Sequence, residues 1–182
     1  MNLTGLSEKQ LIELATAEGF LVRYNALHGS TYSVEHVAGE GETPDVFTKD
    51  ASGQVLGIEV TLTEDNPGDI PSVLGRSNRK SVESLRTHLR QVREGREPLR
   101  VNCLSENVLA VLSSRINAKL SKRYGNNVAL VIRDTSGVPW DWNQVVPVLR
   151  ESLSAQTIPF DRGIWLLSRC KSILTSIYDE AT

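Results

Sequence analysis

The segment from Gly41 to Asp65, GETPDVFTKDASGQVLGIEVTLTED, constrains the fold most. Two stretches of strand-forming residues, about Asp45 to Thr48 and about Gln54 to Thr63, flank Asp50-Ala51-Ser52-Gly53. Short polar residues followed by a glycine make a hairpin turn, so the two stretches are expected to pair antiparallel. Successive strand side chains alternate between faces. Leu56, Ile58, Val60 and Leu62 then share one face, and Val55, Gly57, Glu59, Thr61 and Thr63 share the other. The pairing sets Asp45, at the start of one strand, beside Glu59 on the next.

Two later stretches, VALVIRD from Val128 and GIWLLSR from Gly163, read as short, continuous apolar strands. Such strands are buried on both faces and need helices above and below. Helices are available. In LSEKQLIELATAEGF, Ser7 and Gln10 form a capping box. Leu11, Ile12, Leu14 and Ala15 give that helix an apolar face, Gly19 reads as its stop, and Phe20 to Tyr24 reads as a short strand. STYSVEHVAG, from Ser30, is β-rich. A Pro/Gly/Ser-rich loop from Asn66 to Arg79 precedes a helix from about Ser81 to Glu94, with Val82, Leu85, Leu89 and Val92 as its stripe. Ser105 is placed to cap the next helix, lined by Leu109, Leu112, Ile116 and Leu120, with Gly125 and Asn126 as its stop. Trp140 to Leu153 reads as helical, and SILTSIYD, from Ser172, as a last edge strand. Hairpin-connected strands followed by helix-connected strands make a mixed α/β domain. Its expected span is 1–182, a single unit.

No apolar run approaches the roughly 18–20 residues that cross a bilayer, so no membrane role is expected. MNLTGLSEKQ lacks a basic region followed by an apolar stretch, which favours the cytoplasm. Cys103 and Cys170 have no nearby partner cysteine and read as two reduced thiols. Charge is unevenly spread. Residues 1–70 hold 3 Lys/Arg against 12 Asp/Glu, whereas residues 71–100 hold 8 against 3. Either a cation site adjoins a polyanion-binding surface, or two oppositely charged parts attract each other.

Asp45 and Glu59 are the candidate chemistry. Hard divalent cations take one or two carboxylates together with substrate phosphate oxygens. A cation so held lowers the pKa of bound water and neutralises charge on phosphate. A third group normally orients that water, and its natural place is two positions after Glu59, where this chain has Thr61. Pro44-Asp45, the gap, and Glu59-Val60-Thr61 resemble the PD-(D/E)xK motif of the restriction-endonuclease-like superfamily, with Thr61 where the family pattern has lysine. The order of elements from about Ser7 to Asp134 is similar too. The resemblance implies a restriction-endonuclease-like mixed central sheet flanked by helices, Mg²⁺ or Mn²⁺ at Asp45 and Glu59, and hydrolysis of nucleic-acid phosphodiester bonds. In this superfamily the lysine can migrate to the following helix, here SSRINAKLSKRYGNN. Lys119 lies about 60° from the centre of that helix's apolar stripe and Lys122 about 120°. Lys119 is the first candidate and Lys122 the second; the alternative is that both are solvated lysines near a helix C-terminus. KRYGNN is also similar to the lysine-to-tyrosine ending of this helix in some relatives. Family members often add an acid from the first helix, and of Glu8, Glu13 and Glu18 the central Glu13 is the candidate third metal ligand.

Arg79, Arg86, Arg90 and Arg93 fall on one side of the expected 81–94 helix, flanking its stripe. Guanidinium forks there suit phosphate oxygens and imply a nucleic-acid partner, DNA by the resemblance. Solvated charges paired with Glu83, Glu94 and Glu97 are the alternative. A homodimer is an open option, because two sites cut two strands more readily than one. His28, His36 and His88 have no metal-ligand spacing, and the chain has no GxSxG, P-loop or GxGxxG pattern. Thr61 also keeps a second reading open: a catalytically inactive nuclease-fold protein serving as a DNA-binding or protein-interaction module.

Overall fold

The computed structural model describes residues 5–39, 41–63, 104–135, 141–168 and 171–179. These form a six-stranded mixed sheet and three helices. The strands are β1 (Ser33–Val37), β2 (Val46–Lys49), β3 (Val55–Leu62), β4 (Val128–Arg133), β5 (Ile164–Leu167) and β6 (Leu174–Tyr178). The helices are α1 (Glu8–His28), α2 (Leu104–Leu120) and α3 (Trp142–Leu153). Spatial strand order equals chain order. β1, β2 and β3 form an antiparallel meander, β3, β4 and β5 run parallel, and β6 returns antiparallel at the edge. No helix among the described residues is long and apolar enough to cross a membrane.

Side-chain alternation divides the core in two. Leu56, Ile58 and Val60 of β3, Ala129 and Val131 of β4, and Trp165 and Leu167 of β5 pack with Ala17, Phe20, Leu21 and Tyr24 of α1. The opposite face holds Val128, Leu130 and Ile132, with Ile164 and Leu166. There they pack against Leu112 and Ile116 of α2 and Val145, Val146, Leu149 and Leu153 of α3. The result is helix, sheet, helices, in three layers. The central strands are covered on both sides, as their unbroken apolar text requires.

Locally, much of the expected chemistry is present. Ser7 Oγ accepts from the Gln10 N–H, and Gln10 Oε1 accepts from the Ser7 N–H, closing the capping box of α1. At the β2–β3 turn, Asp50 Oδ1 accepts from the Ser52 hydroxyl at 2.7 Å and from the N–H groups of Ser52 and Gln54 at 2.9 and 2.8 Å. The Ser52 hydroxyl bond, followed by those backbone bonds, holds the Asp50 carboxyl below its usual range. Asp141 caps α3 by accepting from the Asn143 N–H.

Two boundaries differ from the sequence reading. Gly19 does not end α1, and Phe20 to Tyr24 is helical rather than a strand. Leu14, Ala17, Leu21 and Tyr24 continue one apolar stripe, and its burial outweighs the cost of an internal glycine, about 1 kcal/mol. Gly19 instead lets the Lys171 side chain cross the helix, for a Cβ there would lie 2.7 Å from Lys171 Cδ. The stop is Gly29, in the left-handed conformation at φ 63°. Likewise α2 ends at Leu120, not at Gly125 and Asn126, so Lys122 lies in the turn beyond it. The expected helix from Ser81 to Glu94 lies outside the described residues, as do Cys103 and Cys170.

Gly57 controls how the meander seats against the parallel strands. A Cβ at this position would stand 2.5 Å from Pro44 Cγ and 3.2 Å from Val128 Cγ2. Its absence lets Pro44 lie directly on β3, and Pro44 carries Asp45 with it. Gly57→Val is expected to destabilise the protein by about 1–3 kcal/mol through overpacking. Urea denaturation measures this, and unchanged stability would show that Pro44 yields freely.

Candidate functional site

The β2–β3 ladder ends at the Val46–Ile58 pair. Just past that point, Asp45 Oδ2 accepts the Val60 N–H at 2.8 Å, so a carboxylate takes the place of a further ladder partner. Asp45 is thereby held beside Glu59, as the hairpin register predicts. Glu59 projects from β3 toward the α2 layer, whereas its neighbours Ile58 and Val60 project toward α1. It is 1% exposed, so it is buried rather than on a half-solvated polar face.

A carboxylate buried this deeply needs compensation. Lys119 supplies it from the last turn of α2. Its Nζ lies 2.7 Å from Glu59 Oε1 and 3.9 Å from Asp45 Oδ2. One ammonium thus faces both acids. Lys122 Nζ stands 4.0 Å from the same Glu59 oxygen. The Tyr124 hydroxyl donates to Glu59 Oε1 at 3.1 Å. Burial, then the Glu59 charge, pushes the Tyr124 pKa well above its usual value, so the phenol stays protonated. All these groups converge on Oε1. Glu59 Oε2 is buried and has no hydrogen-bond partner among the described residues.

Glu13 is brought in from the other layer. It is buried on α1, and Lys9, one turn earlier, reaches it at 3.1 Å and Asp45 Oδ1 at 4.0 Å. Burial, and then the Asp45 charge, raises the Glu13 pKa; the Lys9 pair opposes this. A cavity of about 350 Å³ opens beside these residues, lined by Lys9, Gln10, Glu13, Glu42 and Asp45 among others. Gln10 donates to the Ala38 carbonyl and pins the start of α1 to that wall.

Of the residues singled out in the sequence, Asp45, Glu59 and Lys119 meet, with Glu13 at their flank. Among the described residues, no three His, Cys, Asp or Glu side chains form a close group, and Asp45 and Glu59 are the two carboxylates that share one ammonium. The donor set is a carboxylate pair. That set fits an ion of the Mg²⁺ type, which keeps several waters and takes only one or two protein carboxylates. The orphaned Glu59 Oε2 fits it as well, for a buried oxygen without a partner is rare and costly. Thr61 is buried on the Glu59 face, and the amine paired with Glu59 belongs to Lys119 of α2. Arg79, Arg86, Arg90, Arg93, Glu64 and Asp65 lie outside the described residues. His36 stacks on Phe47, and His28 packs against Tyr24 and Trp165.

Two participants were not found by sequence reasoning. Lys9 was legible as the i, i+4 partner of Glu13. Tyr124 was legible only as the tyrosine of KRYGNN, with no role at the acids attached to it, because its place depends on where α2 stops. No protein-family model, curated protein or solved structure matches the chain.

The Glu59–Lys119 pair carries a stability prediction. Lys119→Met leaves the Glu59 charge buried without its nearest counter-charge and is expected to cost about 3 kcal/mol. Adding Glu59→Gln should restore much of this, since an amide needs no counter-charge. Denaturant titration of the single and double variants tests it, and a Lys119→Met protein as stable as wild type would refute the assignment. Glu13 yields a second. Its pKa is raised in the folded state, so the stability it contributes is fully present below its ordinary value near 4.5 and is lost as pH rises through the folded value. Glu13→Gln should therefore melt above wild type at pH 7, with the difference vanishing below about pH 4.5. Melting curves across that range would expose the opposite sign.

Proposed function

We propose that this chain is a restriction-endonuclease-like protein that hydrolyses phosphodiester bonds of nucleic acid, DNA in the first instance, with a divalent cation. The meeting of Asp45, Glu59 and Lys119 carries the proposal. These residues come from a hairpin and from a helix 60 positions further on, and one ammonium faces both carboxylates. Asp45 and Glu59 would hold Mg²⁺ or Mn²⁺, which when bound supplies a more acidic water and charge neutralisation at phosphate. Lys119 brings a positive charge and three N–H donors to the same point, where a phosphate oxygen gains charge during attack. It stands in for the lysine that Thr61 replaces. Lys9 and Lys122 add positive charge at the rim, favourable for a polyanion. Arg79, Arg86, Arg90 and Arg93 would contact backbone phosphates without reading sequence.

A specific observation favours a second reading. Lys119 sits at hydrogen-bonding distance from Glu59, and every acid of the group has an ammonium within 4.0 Å. Such a balanced network can serve stability alone in an inactive binding module. Against this, the contacts to Asp45 are long and Glu59 Oε2 is free of them.

Nicking of supercoiled plasmid separates the two. Wild type should nick with Mg²⁺ or Mn²⁺ and stop with EDTA. Asp45→Asn and Lys119→Met should each lose at least about 100-fold, the scale for removing one charge-stabilising group. Equal rates in wild type and Asp45→Asn, or no nicking by any of them, would leave only the binding-module reading.

A further inference from the structure

We infer that Tyr124 is a positioning residue that divides the two oxygens of Glu59, holding Oε1 for the protein and turning Oε2 toward an incoming divalent cation. The inference rests on the proposed cation site and adds a residue that the motif does not contain.

The asymmetry of Glu59 is its basis. Lys119 at 2.7 Å, Tyr124 at 3.1 Å and Lys122 at 4.0 Å all address Oε1. Oε2, also buried, receives no donor among the described residues. Free rotation of the carboxylate would spread the donors over both oxygens, so something fixes its plane. The two lysines are poor candidates. Each is a flexible four-carbon stem with a charge that a divalent cation repels, so neither fixes the plane of the carboxylate by itself when the cation arrives, although Lys119 stays close enough to meet a phosphate oxygen. The phenol differs in both respects. It is neutral, and it has one O–H to give. Its ring is held independently of Glu59, packed 4.7 Å from the fully buried ring of Phe160 and against the α2–α3 core. Tyr124 can therefore keep Oε1 engaged when the positive charges rearrange. Groups that orient a ligating carboxylate in this way typically account for 10- to 100-fold in metal affinity.

Tyr124→Phe keeps the ring and deletes the donor. Calorimetric titration with Mn²⁺, alongside melting in EDTA, is the test. The expected result is binding about tenfold weaker than wild type, with melting in EDTA little changed. A merely structural role would lower melting and leave Mn²⁺ affinity of the folded protein unaltered, and that result overturns the inference while sparing the cation site. Wild-type protein that takes up no Mn²⁺ would overturn both. If Tyr124→Phe melts early, titration at a temperature where both proteins are folded still reads the affinity. Tyr124→Leu, which also removes the ring, should lose stability as well, separating packing from the hydrogen bond.

Discussion

A carboxylate lies in the middle of the sheet, and its neighbours are arranged around the need to compensate it. Glu59 occupies a position on β3 where an apolar side chain would pack more cheaply between sheet and helix. Leaving that charge unpaired would cost several kcal/mol, a large part of the stability of a domain this size. The compensation comes from far along the chain: the last turn of α2 supplies Lys119, and the turn after it supplies Tyr124. The site therefore depends on the register of α2 against β3 and β4, which Leu112 and Ile116 set by packing into the core.

The sheet's two faces have different duties. Toward α1 the surface is continuous and apolar, from Val46 through Ile58 and Val131 to Trp165, and it anchors a long helix. Toward α2 the apolar surface is broken at Glu59. The break falls beside the start of β2, where Asp45 takes over from the ladder by accepting the Val60 N–H. A strand end, a helix end and the start of α1 thus meet at one notch, with a cavity opening beside it. Concave, polar notches where a sheet edge is interrupted are where bound ions and ligands find partners, because backbone and side-chain groups there are not consumed by the fold.

Much of this was legible from local text. The Asp50-Ala51-Ser52-Gly53 turn set the β2–β3 register, and with it the adjacency of Asp45 and Glu59. The continuous apolar runs at Val128 and Gly163 announced strands covered on both faces. The stripe of Leu112 and Ile116 told which side of α2 turns inward, and so that Lys119 stood at its margin. Helix ends were less readable. Gly19 and Gly125 are both plausible stops, and neither is used, since the burial available to Phe20, Leu21 and Tyr24 in one case, and the early end of α2 at Leu120 in the other, are decided by neighbours distant in sequence.

What the sequence determined by itself, then, is periodicity and pairing: which stretches are strands, which residues share a face, and which two acids must lie side by side. These follow from steric rules acting over a few residues. Tertiary structure alone decided how deep Glu59 is buried, that Lys119 and not Lys122 makes the close contact, and that Tyr124 faces the same oxygen. Each of these depends on how a helix seats on a sheet across a gap of 60 or more residues, and close packing, not local propensity, sets that distance.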